Sequence, residues 1–271
     1  MRFVFTIPAA FLVAASSASA CPAGAFMNVA NAEGAGPGYP RPRVLARCEA
    51  NALVIQGNGI PHYRFVAMTP NPLIEQTYDF RLPLDPARTA QSTPIPSLGP
   101  AGIAINGTVF YGPNEAAQPA HQAWGDPIHN RIVDRCLGHT AREYHYHGLA
   151  SECLAPAAKA GAPSPILGFA FDGFPIYGPW GCLDRACRRV VKFKSGYVRI
   201  GNPTRDAWSA YRYEARNDAA TLDACNGRVG PDGTYRYHAT ETFPYIVGCY
   251  AGTPIARPRP QGPPPGPPRP R

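Results

Sequence analysis

The 271-residue chain lacks the short motifs that identify most common reactions. It has no G-x-S-x-G elbow, no phosphate-binding glycine loop, no H-E-x-x-H and no dinucleotide fingerprint. C-x-x-C spacing is missing among its cysteines, as is the Asp-rich pattern of a calcium loop. These absences exclude the familiar serine hydrolase, nucleotide-binding, thiol-redox, zinc-ribbon and EF-hand classes.

Long apolar runs are also missing, and this excludes a membrane span. The start Met1-Arg2 precedes an apolar stretch over residues 3–15 that is too short to cross a bilayer. Ala18-Ser19-Ala20 is an A-x-A cleavage signature. The sequence therefore predicts a signal peptide over 1–20 and a secreted or periplasmic protein that begins at Cys21. A lipid anchor at Cys21 is less favoured, because Ala18 stands where lipoprotein signals usually have Leu.

The net charge of +8 lies mostly at the two ends of the chain. Arg2 and the four arginines of residues 254–271 contribute five of these charges, and about +3 remains on the body. The body therefore lacks the basic surface of a nucleic-acid binder. Half of the 254–271 segment is proline, which predicts a disordered, polyproline-type tail. One domain is expected over 21–253.

A duplicated unit is predicted by two motifs that recur in the same order. GIAINGTVFYGP at 102–113 matches GFAFDGFPIYGP at 168–179 at six of twelve positions, and each predicts a hairpin about an Asn-Gly or Asp-Gly turn. Asp-x-Cys-x-Gly followed by Tyr-x-Tyr-His and Cys then occurs twice. The units span about 102–153 and 168–249, with an insertion at about 180–215 in the second.

The eight cysteines of an exported chain favour disulfides. Equivalent cysteines of the two units should pair equivalently, which favours Cys136–Cys153 and Cys225–Cys249. Cys182–Cys187 would then pair within the insertion, and Cys21–Cys48 near the start. Bridges that cross between the units are the symmetric alternative.

The fold class expected is mainly β, because the 33 prolines and many glycine turns oppose helices. We predict a sandwich or barrel-like body built from two related units and stapled by disulfides. Short helical turns fit best at 157–160 and 215–223.

Tyr144-His145-Tyr146-His147 is the main candidate for chemistry. In a strand, His145 and His147 share one face, a spacing at which two imidazoles can chelate zinc or copper. If the units are related by a two-fold axis, His238 matches His147 and completes a three-histidine metal site. His62 and His139 have no supporting spacing, and His121 with His129 forms a weaker loop cluster; each is expected to be an ordinary solvated or capped histidine.

Other candidates would surround that site. Asp172 can orient a histidine, serve as a fourth metal ligand or act in catalysis, and the phenols of Tyr144 and Tyr146 can hydrogen-bond a bound oxyanion. Arg236 replaces the first histidine in the second copy and suits an anionic small substrate. These residues predict a metalloenzyme or metal-binding protein.

Two other functions fit the same residues. A non-catalytic module can bind a small-molecule, cell-envelope or extracellular ligand through tyrosines, namely Tyr211, Tyr213, Tyr235 and Tyr237. Alternatively, the tyrosine pairs are core aromatics and the chain is a disulfide-stapled structural protein without a site.

The motifs resemble the YHYH-domain family of exported proteins, named for the tetrapeptide at 144–147. The resemblance extends through Gly59-Ile60-Pro61, the 106–107 turn, FDGFPIYG at 171–178, LDACNG at 222–227 and Pro244-Tyr245. It covers about 51–252 and implies export without naming a reaction. Arg236 departs from a doubled motif and argues against a symmetric two-metal site.

Overall fold

The computed structural model describes residues 21–116, 125–141 and 143–256. The predicted signal peptide, His121 and all but three residues of the predicted tail lie outside the described residues. Within the described ranges, no helix has the length and apolar character needed to cross a bilayer.

Short strands dominate these ranges, as the proline and glycine content predicts. The only helices among the described residues are a 3-10 turn at Pro22–Ala25 and α1 at Ser151–Leu154, so neither predicted helical turn forms one. The strands are β1 Val44–Glu49, β2 Ala52–Gly57, β3 Tyr78–Pro83, β4 Arg88–Pro94, β5 Pro100–Ala104, β6 Val109–Tyr111, β7 Gly138–Thr140, β8 Tyr144–Tyr146, β9 Ile166–Ala170, β10 Pro175–Tyr177, β11 Trp180–Cys182, β12 Val190–Lys192, β13 Tyr197–Arg199, β14 Tyr211–Tyr213, β15 Gly227–Val229, β16 Tyr235–His238 and β17 Cys249–Gly252.

The central element is an eight-stranded mixed sheet in the order β15-β16-β10-β9-β5-β6-β8-β7. Its two end strands do not pair with each other, so the barrel-like form expected from the sequence is wrong. A three-stranded sheet, β1-β2-β3, and three two-stranded sheets complete the described fold. The protein is thus mainly β, with several sheets.

The strand order is the same when read outward from either member of the central β5–β9 pair. Each of these strands forms an antiparallel hairpin with the next, β5 with β6 and β9 with β10. The second strand of each hairpin then pairs in parallel with a Tyr-x-Tyr-His strand, β8 or β16. An antiparallel strand, β7 or β15, finishes each side.

Each of the two hairpins closes with a loop that is longer than the two-residue turn predicted from its Asn-Gly or Asp-Gly pair. Gly107 and Gly173 have φ of +86° and +90°, whereas the residue before each glycine has no positive φ. Gly107 N–H donates to Ala104 C=O, and Gly173 N–H donates to Ala170 C=O. Asn106 instead turns its side chain inward, and its Nδ2 donates to Tyr146 Oη at 2.9 Å. The polar side chain therefore anchors the loop to the neighbouring strand.

The core lies on the tyrosine face of the eight-stranded sheet. Tyr144 and Tyr146 are fully buried, and the hydroxyl of Tyr63 lies 3.0 and 2.8 Å from their hydroxyls. The three-stranded sheet contributes Phe80, whose ring packs against Phe171 at 4.8 Å. With the tyrosine face filled by apolar packing, the opposite face is left for the histidines.

Four disulfides join the described cysteines, and none of those cysteines is free. The pairs are Cys21–Cys48, Cys136–Cys153, Cys182–Cys187 and Cys225–Cys249, the same four pairings that the sequence favours. Cys136–Cys153 ties the segment before β7 to α1, directly after the Tyr-x-Tyr-His strand.

Candidate metal centre

Three imidazoles meet on one face of the sheet, at its β7 end. His139 on β7 pairs directly with His145 on β8, and cross-strand partners point their side chains to the same side. His147 follows His145 by two residues and shares that face. The hairpin and the period of the strand are therefore enough to bring the three rings together.

A carboxylate reaches the same point from the neighbouring strand. β6 runs parallel to β8, and the chain continues from Tyr111 through Gly112 to Glu115. Glu115 N–H donates to Gly125 C=O at 2.8 Å, and its Oε1 accepts from Ala116 N–H. These bonds leave Oε2 directed at the histidines.

The four donor atoms lie within 4.8 Å of one another. Glu115 Oε2 is 2.8 Å from His139 Nε2, 3.5 Å from His147 Nε2 and 3.8 Å from His145 Nε2. His139 Nε2 is 3.1 Å from His147 Nε2. Ligands about 2.0 Å from a tetrahedral zinc ion are about 3.3 Å apart, so the cluster has the size of a metal shell.

Hydrogen bonds outside the cluster orient two of the rings. His145 Nδ1 lies 2.9 Å from Glu143 C=O, and His147 Nδ1 lies 2.7 Å from Gly112 C=O. A carbonyl accepts only, so both rings carry their proton on Nδ1 and turn the Nε2 lone pair inward. Tyr111 stacks on His145 at 3.7 Å and donates to the Glu143 carboxylate at 2.6 Å.

Burial disfavours the charged form of His145 and His147. The three histidine side chains are at most 1% exposed, whereas Glu115 is 17% exposed. Burial lowers the pKa of His145 to about 3 and also lowers that of His147. Burial opposes ionisation of Glu115, but the hydrogen bond with His139 Nε2 favours it, and the pKa of the carboxyl is lowered. A carboxylate and neutral imidazoles are the protonation states that metal binding requires.

The structure does not bring His238 to this cluster. His238 ends β16, and β10, β9, β5 and β6 lie between that strand and β8. At the usual spacing between strands, the two positions are about 24 Å apart. The ring of His238 packs on Phe193, and its Nδ1 lies 2.8 Å from Gly178 C=O.

Tyr144, Tyr146, Tyr235, Tyr237 and Asp172 lie on the core face, away from the histidines, whereas Tyr211 and Tyr213 are partly buried on β14 of a separate sheet. Tyr235 and Tyr237 are buried; the first donates to Asp223 and the second to Asp172. Tyr144 donates likewise to Asp134 at 2.8 Å. These phenols serve buried hydrogen-bond networks and present no exposed aromatic row. Arg236 lies beside His238 rather than beside the cluster.

Two members of the cluster are absent from the ligand set that the sequence favours, although His139, like Asp134, is a further candidate if the metal belongs to the first unit alone. His139, expected to be an ordinary solvated or capped histidine, is 1% exposed, and its Nε2 lies within the cluster. A three-residue loop between Gly138–Thr140 and Tyr144–Tyr146 would have placed it opposite His145. Glu115 has no local signal, because its approach depends on the parallel pairing of β6 with β8. His62 and His129 contact Asn106 and Asp126 instead.

These features define the class: a mainly β, disulfide-stapled domain with a buried group of three histidines and one glutamate. The chain belongs to the YHYH family, since the family model described as "YHYH protein" matches residues 79–252. That match contains every residue of the cluster. No curated protein and no solved structure matches the chain.

Proposed function

We propose that this YHYH protein binds one divalent first-row transition-metal ion, zinc or copper, through Glu115, His139, His145 and His147. The observation that carries the proposal is a buried, convergent set of four atoms that can ligate a metal ion. One of them, Nε2 of His145, has no hydrogen-bond partner. Imidazole and carboxylate donors suit both metals, and Glu115 would neutralise one of the two charges.

Hydrogen bonds alone do not satisfy this set. With their protons on Nδ1, His145 and His147 offer only lone pairs to the centre. A proton on His139 Nε2 can serve Glu115 and His147, but Nε2 of His145 keeps no hydrogen-bond partner. A buried acceptor without a partner costs about 1–3 kcal/mol. A single cation would satisfy all four donor atoms at once.

The exposure of one side of the centre supports a role for the bound ion in binding a substrate. Among the described residues of the cluster, only Glu115 is more than 1% exposed, so a small substrate would enter on that side. A metalloenzyme needs an exchangeable position at the metal, and a carboxylate that shifts its coordination can open one. We propose that a small anionic substrate reaches the ion there.

Elemental analysis of oxidised, untagged protein tests metal binding. We expect about one zinc or copper ion per chain, bound before or after incubation with each metal. His145→Ala and His139→Ala should abolish stoichiometric binding, and His129→Ala, which removes a histidine outside the cluster, should not. A ratio near zero after incubation with both metals would overturn the proposal.

We also infer that the chain is exported and that its two halves descend from one duplicated unit. Four disulfides and the predicted signal peptide support export to an oxidising compartment. The strand order on either side of the β5–β9 pair and the recurring motifs support duplication.

A further inference from the structure

The β15 end of the eight-stranded sheet has the geometry of the histidine end but different side chains. Arg228 on β15 pairs with Arg236 on β16, as His139 pairs with His145 at the other end. Arg228 follows the glycine of Asp-x-Cys-x-Gly, and so does His139. Two of the four metal-ligand places are therefore occupied by guanidinium groups.

The histidine that remains at this end keeps its local contact. His238 Nδ1 lies 2.8 Å from Gly178 C=O, and His147 Nδ1 lies 2.7 Å from Gly112 C=O. The backbone N–H of His238 donates to Asn226, just as that of His147 donates to Leu137. His238 thus keeps the position and contacts that His147 has in the cluster.

The fourth place has no carboxylate. Gly181 follows Gly178 by three residues, as Glu115 follows Gly112. A Cβ built on Gly181 would lie 3.1 Å from Cε1 of His238, so the glycine backbone runs directly past the ring. With two arginines and a glycine in place of three ligands, this end of the sheet cannot hold a metal ion. Its arginines are positively charged, whereas the carboxylate of Glu115 at the other end is negative.

A cavity of about 220 Å³ opens at this point. Arg228, Arg236, His238 and Gly181 line it. Two guanidinium donors of these lining residues, Nη1 of Arg228 and Nε of Arg236, are buried and have no hydrogen-bond partner. Buried guanidinium donors without partners are costly, and an acceptor in the cavity would satisfy both.

Both guanidinium groups are held by aromatic rings. Arg236 lies over Tyr177 at 5.2 Å, and Arg228 lies over Phe193 at 4.6 Å. Gly230 gives Arg236 the room it occupies, because a Cβ there would come within 2.8 Å of three guanidinium-group atoms. The two planar donors are therefore held in place before any ligand arrives.

The acids that line the cavity do not neutralise both arginines. Asp232 pairs with Nη2 of Arg236 and is 54% exposed, and Nε of that arginine stays unpaired. Asp184 accepts from the backbone N–H groups of Arg188 and Arg189. Burial, and then the two guanidinium groups, lower the pKa of His238 to about 4, so that ring is neutral.

We infer that this cavity binds a small molecule through an oxyanion group, a phosphate or a carboxylate, held by Arg228 and Arg236. Planar guanidinium groups match both oxyanions with two parallel hydrogen bonds. The site is separate from the histidine cluster, at the other end of the same sheet, and does not depend on metal being bound.

Titration calorimetry of the full, oxidised chain with inorganic phosphate, sulfate and acetate tests the inference. At least one of these anions should bind with a Kd in the millimolar range or below. Arg228→Gln and Arg236→Gln should each weaken binding at least about tenfold, the usual loss when a charged hydrogen bond is removed. Arg212→Gln removes an exposed, Glu214-paired arginine and should change nothing. Binding of acetate without binding of phosphate would indicate that the natural ligand carries a carboxylate.

Three results would overturn the inference. The first is that none of the three anions binds at about 10 mM, a concentration above the Kd of a weak specific complex. Equal loss in Arg212→Gln would show non-specific attraction. Binding that survives in both cavity variants but is lost in His145→Ala would place the anion at the other end of the sheet. Circular dichroism of each variant shows whether it is folded. If a glutamine variant is unfolded, Arg228→Lys, which keeps the charge, is measured in its place.

Discussion

His139 lies directly across the β7–β8 hairpin from His145, with their ring centroids 4.8 Å apart. Antiparallel pairing thus supplies one ligand of the proposed centre from each strand, and the two-residue period of β8 supplies the third at His147. The site depends on sheet register, so a one-residue slip of β7 would turn His139 to the core face.

Removing His139 should therefore be as damaging as removing a histidine of the tetrapeptide. We expect His139→Ala and His147→Ala to lower zinc affinity by more than about a hundredfold, the upper range for losing only an outer contact. Competition with a chromophoric chelator measures it. His238→Ala is the matched control and should bind zinc like the parent; a loss there would restore a site shared between the two ends.

The sequence predicts part of this site and misses the rest for physical reasons. The alternation of a strand is enough to pair His145 with His147. Glu115 depends on β6 lying parallel beside β8, a contact between segments far apart in sequence that no local pattern specifies. His238 was expected near the axis, but the halves join through β5 and β9, so four strands separate the two Tyr-x-Tyr-His strands.

Tyr111 should position His145 without binding metal itself. Its ring stacks on that imidazole at 3.7 Å, and its hydroxyl is bonded to Glu143. Tyr111→Leu should lower zinc affinity about 10–100-fold, as for other outer contacts, whereas Tyr111→Phe, which keeps the stacking, should lower it less. Equal affinities for all three proteins in the chelator assay would show that the ring has no such role.

Acid should destabilise the protein through His238. Its folded-state pKa of about 4 lies below the ordinary 6.5, so the unfolded chain takes up the proton first. The contribution to stability is complete above pH 6.5 and is lost as pH falls toward 4. His238→Asn keeps a donor for Gly178 and cannot titrate. Denaturant unfolding should show the parent losing on the order of 3 kcal/mol more than the variant across that window. Parallel pH curves would contradict this.

Loss of the Cys136–Cys153 bridge should weaken the fold next to the metal centre. The bridge closes a 17-residue separation around β7 and β8. Replacing both cysteines by serine should cost about 2–4 kcal/mol in the free energy of unfolding, by the loop-closure effect. Urea titration measures it, with the Cys182→Ser, Cys187→Ser pair as a control that opens a separation of only five. A larger loss in that control would be inconsistent with loop closure.

X-ray absorption at the metal edge tests the proposed centre most directly. The zinc- or copper-loaded protein should show only nitrogen and oxygen neighbours at about 2.0–2.1 Å, with outer scattering that fits three imidazoles. In His139→Ala, the imidazole scattering should fall or the metal should be lost. A sulfur shell near 2.3 Å, fewer than three imidazoles, or a spectrum unchanged in His139→Ala would contradict a Glu115, His139, His145 and His147 site.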